Sequence, residues 1–156
     1  MNSSNNNTLP PGLAKFFSKH FNTIELIFGI IFFFSLLLKF LAIPNSAPLI
    51  GISSTTLGLI YFVGGFLPPD GNEKSFFEII AFKVLHISWS VEIVGLLFLI
   101  MNFPGALNMA GIGAAANLIA LLLLIGVSMN NWSNRKSQAL VRSLVILLLL
   151  LVTYMM

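Results

Sequence analysis

Four ionisable residues lie within stretches otherwise too apolar to meet water: Glu25, Lys39, His86 and Glu92. Inside a membrane such groups are costly and are functional candidates by default, because they can carry or relay a proton or an ion. Glu92 is the strongest of them. It sits mid-segment, flanked by Ser88, Trp89 and Gly95. A charge at a helix centre costs about 3 kcal/mol to insert, while the Leu, Ile, Val and Phe of the same segment return about 5 kcal/mol at roughly 0.4 each. Insertion is feasible provided Glu92 faces protein rather than lipid. Three states are open to it: a protonated acid, a hydrogen bond to Ser88 one turn back, or an ion pair with Lys39, about 9 Å away in depth. In a functional reading Glu92 carries a proton or cation, with His86 as a relay. In a structural reading it ties two helices together, a contact worth about 1 kcal/mol. Glu25 and Lys39 lie nearer the ends of their segment and are expected to anchor it at the interfaces by reaching headgroups.

Other chemistry is excluded by residue type. There is no cysteine, so disulfides, thiolate metal sites and cysteine nucleophiles are out. His20 and His86 are the only histidines and are far apart. No Walker loop, dinucleotide fingerprint, G-x-S-x-G or H-E-x-x-H occurs, so no metal or cofactor site is expected. A pI near 9.5 comes from eight basic against five acidic residues, with no basic run longer than Arg135-Lys136. That is no phosphate-binding stripe, and a nucleic-acid partner is not expected.

The elements that must position these residues follow from composition. Of 156 residues, 57% are hydrophobic and only 8% charged, against about 25% charged in average soluble chains. The partner this implies is the lipid bilayer. One helix crosses a hydrocarbon core of roughly 30 Å with about 20 residues. Residues 93–134 hold no charged side chain; as one helix they would run about 63 Å, twice the bilayer. They must fold back at Asn102-Phe103-Pro104-Gly105, where proline disfavours helix in the residue before it and glycine permits the turn. Residues 40–69 are also uncharged and break at Pro44-Asn45-Ser46-Ala47-Pro48. The expected spans are 23–43, 49–66, 79–103, 107–129 and 138–156, with Arg142 snorkelling from the last.

The fold class is therefore an all-α transmembrane bundle of five helices: a hairpin over 23–66, a second over 79–129, and a C-terminal span over 138–156. Residues 1–10 read as a disordered polar tail without the basic n-region of a signal peptide. In 11–22, Leu13, Phe16, Phe17 and Phe21 share an apolar side, which suits a segment lying in the interface or a simple extension of the first span. Loops are expected over 67–78 and 130–137. Ser75 and Glu78 match a capping box at the start of the third span. With the N-terminus in the cytoplasm, Lys15, Lys19, Lys74, Lys83, Arg135, Lys136 and Arg142 all fall on that side and only Lys39 opposite, a strong positive-inside bias. The C-terminus is then periplasmic, in a bacterial inner membrane. Tyr61 and Trp132 fall at the expected inner aromatic belt, Tyr154 at the outer.

Small residues mark candidate packing faces: Gly51, Ser54, Thr55 and Gly58 in the second span, and Ala110, Gly111, Ala114 and Ala115 in the fourth. Such faces let helices approach closely, within the chain or between chains. The chain also compares with itself at an offset of 60: Leu36-Leu37 with Leu96-Leu97, Pro44 with Pro104, Gly51-Ile52 with Gly111-Ile112. An apolar span, a proline hairpin and a small-residue span recur in that order, the pattern of a parallel repeat.

At these residues the chain resembles a known hairpin. Lys39-Phe40-Leu41-Ala42-Ile43-Pro44 with Pro48-Leu49 and Gly51, and Phe98-Leu99-Ile100-Met101-Asn102-Phe103-Pro104-Gly105-Ala106 with Gly111, are similar to a hairpin of small uncharacterised multi-pass membrane proteins of Bacteroidota. More distantly they resemble the membrane hairpin of the gliding-motility motor protein L. The resemblance implies the hairpin architecture and a bacterial envelope origin. In that motor the second hairpin helix carries an embedded glutamate implied in proton-driven rotation; here 49–66 and 107–129 hold no acid. The lysine survives as Lys39 but is Leu99 in the second copy, and the usual histidine is Ala42 or Asn102. The expected function is a non-enzymatic accessory or scaffold subunit of an envelope complex, binding other membrane subunits or itself. The alternative is a small transporter or proton-conducting subunit using Glu92.

Overall fold

The computed structural model describes residues 11–44, 46–67, 75–129 and 132–155. The expected tail over 1–10, and Asp70, Gly71 and Lys74 of the expected loop, lie outside the described residues. So do the side chain of Leu13 and the turn residue Asn45. Five helices form: α1 Pro11–Phe40, α2 Ser46–Gly64, α3 Phe76–Ile100, α4 Ala106–Ser128 and α5 Asn134–Met155. All five are long and apolar enough to cross a membrane, and the chain is an all-α, multi-pass membrane protein. Helices answer the physical demand of lipid, where every backbone N–H and C=O must be bonded within its own segment.

Of the two readings of 11–22, an interfacial segment or an extension of the first span, the structure has the extension. Residues 11–22 run unbroken into the span as one 30-residue helix, about 45 Å long. No proline or glycine pair interrupts it. Phe21 is buried on the bundle while Phe16 is exposed.

Each hairpin turn is made the same way. The N–H of Ile43 bonds the carbonyl of Leu38 and that of Ala42 bonds Lys39. Sixty residues later the N–H of Phe103 bonds Phe98 and that of Asn102 bonds Leu99. Both are Schellman closures, which need a left-handed residue just past the helix end. Ala42 (φ 54°) and Asn102 (φ 55°) supply it. Pro44 and Pro104 follow and prevent helical continuation. Gly105 sits at φ 81° at the start of α4, a conformation glycine adopts without steric cost. At the start of α3, Ser75 accepts the N–H of Glu78 at 3.2 Å, as the capping signal expected.

Burial follows the same offset. Of the fourteen buried residues in 21–65, eleven have a buried counterpart sixty residues on. Phe21, Glu25, Phe32, Ser35 and Leu36 match Ala81, Leu85, Glu92, Gly95 and Leu96. The exceptions are Ser54 and Gly58 on α2 and Gly65 just past its end, and both glycines face α3. Their counterparts on α4 have no further hairpin to meet.

The helix α3 is the hub. It packs on α2, α4 and α5, whereas α1 packs its backbone on α2 alone. Close approach depends on few glycines. A Cβ at Gly95 would lie 2.9 Å from Ala110 Cα, and one at Gly113 would lie 2.8 Å from Glu92 Cγ. Of the expected packing residues, Ser54 and Gly58 are buried, with Gly58 against Val94. Gly51, Gly111 and Ala115 do not serve inside the chain. Among the described residues nothing lies within 4 Å of a Cβ at Gly51 or Gly111, and Ala115 is exposed. The reason is phase: α4 presents Ala106, Ala110, Gly113, Asn117 and Ala120 to its neighbours, a face rotated away from Gly111 and Ala115.

Candidate functional site

Two of the polar clusters between the helices are built on a buried carboxyl group, Glu92 in one and Glu25 in the other. The first joins α3 to α4. Glu92 and Asn117 are both 0% exposed, and Asn117 Nδ2 donates to Glu92 Oε2 at 2.8 Å. Their meeting follows from the hairpin: Glu92 lies twelve residues before Pro104 and Asn117 twelve after Gly105, so an antiparallel pair brings them to one depth. Gly113 packs directly on the Glu92 side chain and backbone, sealing the contact. Glu92 Oε1 and Asn117 Oδ1 have no hydrogen-bond partner among the described residues.

None of the structural partners weighed for Glu92 from the sequence is the one it uses. Ser88 Oγ donates instead to the carbonyl of Leu85 at 2.8 Å. Lys39 is exposed at the far end of α1, and α1 makes no backbone contact with α3. His86 is buried, with Nδ1 2.8 Å from the carbonyl of Phe82. Its ring packs between Phe21 and Trp89, over Gly64, where a Cβ would clash at 2.6 Å. It is six residues from Glu92 along the same helix, about 9 Å of rise, and its contacts are those of a packed core ring.

The second cluster joins α1, α2 and α5. Arg142 Nη2 bonds Glu25 Oε2 at 2.6 Å, and Tyr61 Oη donates to Glu25 Oε1 at 2.9 Å. Arg142 Nη2 also reaches Asn22 Oδ1 at 3.3 Å. Glu25 therefore does not reach out freely to headgroups; it is buried and has two donors. Arg142 does not snorkel free, and Tyr61 is 6% exposed rather than part of an aromatic belt. One helix further in, Trp89 Nε1 donates to Ser143 Oγ at 2.8 Å, with the Tyr61 ring 5.4 Å from that of Trp89. The four helices α1, α2, α3 and α5 are thus tied at one level.

Below this level Lys136 Nζ meets Glu78 Oε1 at 2.8 Å in a buried ion pair, and Arg135 stacks on Phe82 at 4.7 Å. Opposite charges inside a low-dielectric bundle persist only when matched in this way. Among the described residues no group of three or more His, Cys, Asp or Glu is placed to hold a metal ion.

Asn117 and the Glu25–Arg142 pair escaped sequence reasoning. Asn117 had a usable signal, its equal distance from the hairpin turn. Arg142 had none, because α1 and α5 are not neighbours in the chain. Comparison with protein-family models, curated proteins and solved structures gives no match.

Proposed function

We propose that this protein is a non-enzymatic accessory or scaffold subunit of a bacterial envelope complex, lodged in the inner membrane with its N-terminal end cytoplasmic. The observation that carries the reading is the use made of its embedded polar groups. Glu92, Glu25, Arg142, Tyr61 and Trp89 all bond across helix interfaces, so each is spent on holding helices together. Polar groups used in this way suit a part that others assemble on. The matching turns and burial at an offset of 60 support descent of the two hairpins from one unit, as the resemblance to Bacteroidota hairpin proteins implies. The exposed face of α4, with Gly111 and Ala115, offers a partner helix the small residues on which close approach depends.

The test is affinity purification in mild detergent with the co-purifying chains quantified. A stoichiometric membrane partner is expected, and it should be lost with Gly111→Leu, at a position where a Cβ has nothing within 4 Å among the described residues. Recovery of the chain alone would count against the reading.

One observation favours a second reading, a proton-conducting subunit. Glu92 keeps one carboxyl oxygen without a hydrogen bond among the described residues. Proton flux into vesicles that Glu92→Gln abolishes, at unchanged amounts of folded protein, would establish it.

A further inference from the structure

The seam between α1 and α5 is not closed. Their backbones do not meet, and Arg142 of α5 reaches across to Asn22 and Glu25 of α1. Beside that bridge runs a groove of about 690 Å³. Its apolar wall is mostly one face of α1, with Leu26, Ile30, Phe33 and Leu37 at the spacing of one helical face, and Tyr61 of α2 and Gln138 of α5 complete the lining beside Arg142. Eleven residues of rise make it about 16 Å long, close to half of a roughly 30 Å hydrocarbon core. The depth of one leaflet is what an acyl chain occupies. Gly29 also lines the groove, with open space where a Cβ would stand.

The polar end carries donors and excess positive charge. Arg142 reaches Glu25 and Asn22 through Nη2 alone, so the rest of its guanidinium fork has no protein partner among the described residues. The fork geometry suits a phosphate. The α1 stripe continues past Asn22 to Lys19 and Lys15, both exposed. Lys15, Lys19 and Arg142 against Glu25 leave two positive charges at this end of the groove.

We infer that the α1–α5 seam binds one anionic phospholipid, its phosphate on Arg142 beneath Lys19 and its acyl chain along Leu26–Leu37. A second protein helix would fill the apolar wall but would leave this cationic end unmatched. The inference does not depend on the accessory-subunit reading, since a lipid would fill this seam in a transporter as well.

The test is native mass spectrometry of the full chain in mild detergent with added phosphatidylglycerol or phosphatidylcholine. One phosphatidylglycerol per chain should be retained in preference to phosphatidylcholine. Lys15→Gln and Lys19→Gln should each weaken retention roughly fivefold, the weight of one cation near an anionic headgroup. Gly29→Phe should fill the groove and remove the lipid. The lysines are exposed, so their variants decide the matter should Gly29→Phe unfold on a circular-dichroism melt. Equal retention of both lipids, unchanged retention in the lysine variants, or a protein chain cross-linked into the seam in place of lipid would overturn the inference.

Discussion

Asn117 is what lets Glu92 sit in the middle of a membrane helix. A buried carboxyl with a donor is tolerable; one deprived of it bears the desolvation cost alone. Asn117→Leu is therefore expected to destabilise the protein by about 2 kcal/mol, read by denaturant unfolding in detergent. Glu92→Gln keeps an acceptor for Asn117 and should lie within about 1 kcal/mol of the parent. The Glu25–Arg142 pair obeys the same asymmetry. Arg142→Gln removes one charge and leaves the other, a loss of roughly 3–5 kcal/mol for fully buried pairs. The Arg142 side chain is 24% exposed, and solvent screening should reduce this to about 2 kcal/mol. The double variant Glu25→Gln/Arg142→Gln should recover most of that loss on the same unfolding curve.

Helix ends and helix crossings set the element scale. Both hairpins close on a left-handed residue, and the two copies use different side chains for it. Alanine in that conformation costs on the order of 1–2 kcal/mol relative to glycine, while asparagine adopts it more readily. Ala42→Gly should stabilise by about 1 kcal/mol and Asn102→Ala should destabilise by a similar amount, both measured as shifts in unfolding midpoint. The crossing of α3 and α4 gives a sharper contrast. A methyl at Gly113 would lie 3.0 Å from the backbone nitrogen of Glu92, backbone that cannot step aside. Gly113→Ala should cost about 1–3 kcal/mol as an overpacked contact, whereas Gly111→Ala, two positions away and in open space, should cost nothing on that curve.

For the whole molecule, the proposed topology of five crossings puts both proline turns on one face of the membrane and the α4–α5 connection on the other. The chain has no cysteine, so single reporters can be read without background. Ser133→Cys, between α4 and α5, should be labelled by an impermeant thiol reagent only from the cytoplasmic side. Phe103→Cys, exposed in the second turn, should be labelled only from the other. Labelling of both from the same side would reject the arrangement of spans.

The sequence by itself determined the number of helices, both turns and the start of α3. These rest on local chemistry: length against bilayer thickness, proline and glycine against helix, serine against an open N–H. Helix ends differ from expectation by a few residues; the first span stops at Phe40 rather than 43 because Ala42 closes the Schellman turn. Which faces meet was decided by the tertiary structure. In water a helix advertises its buried side by apolar residues, but here Leu26, Ile30 and Phe33 are exposed and as apolar as the residues inside. With lipid as solvent, hydrophobicity does not mark the core. Small shape differences and embedded polar pairs do so instead. Glu92 found Asn117 across a turn, a match within reach of sequence spacing. Glu25 found Arg142 from 117 positions away, through an adjacency of α1 and α5 that no local pattern encodes.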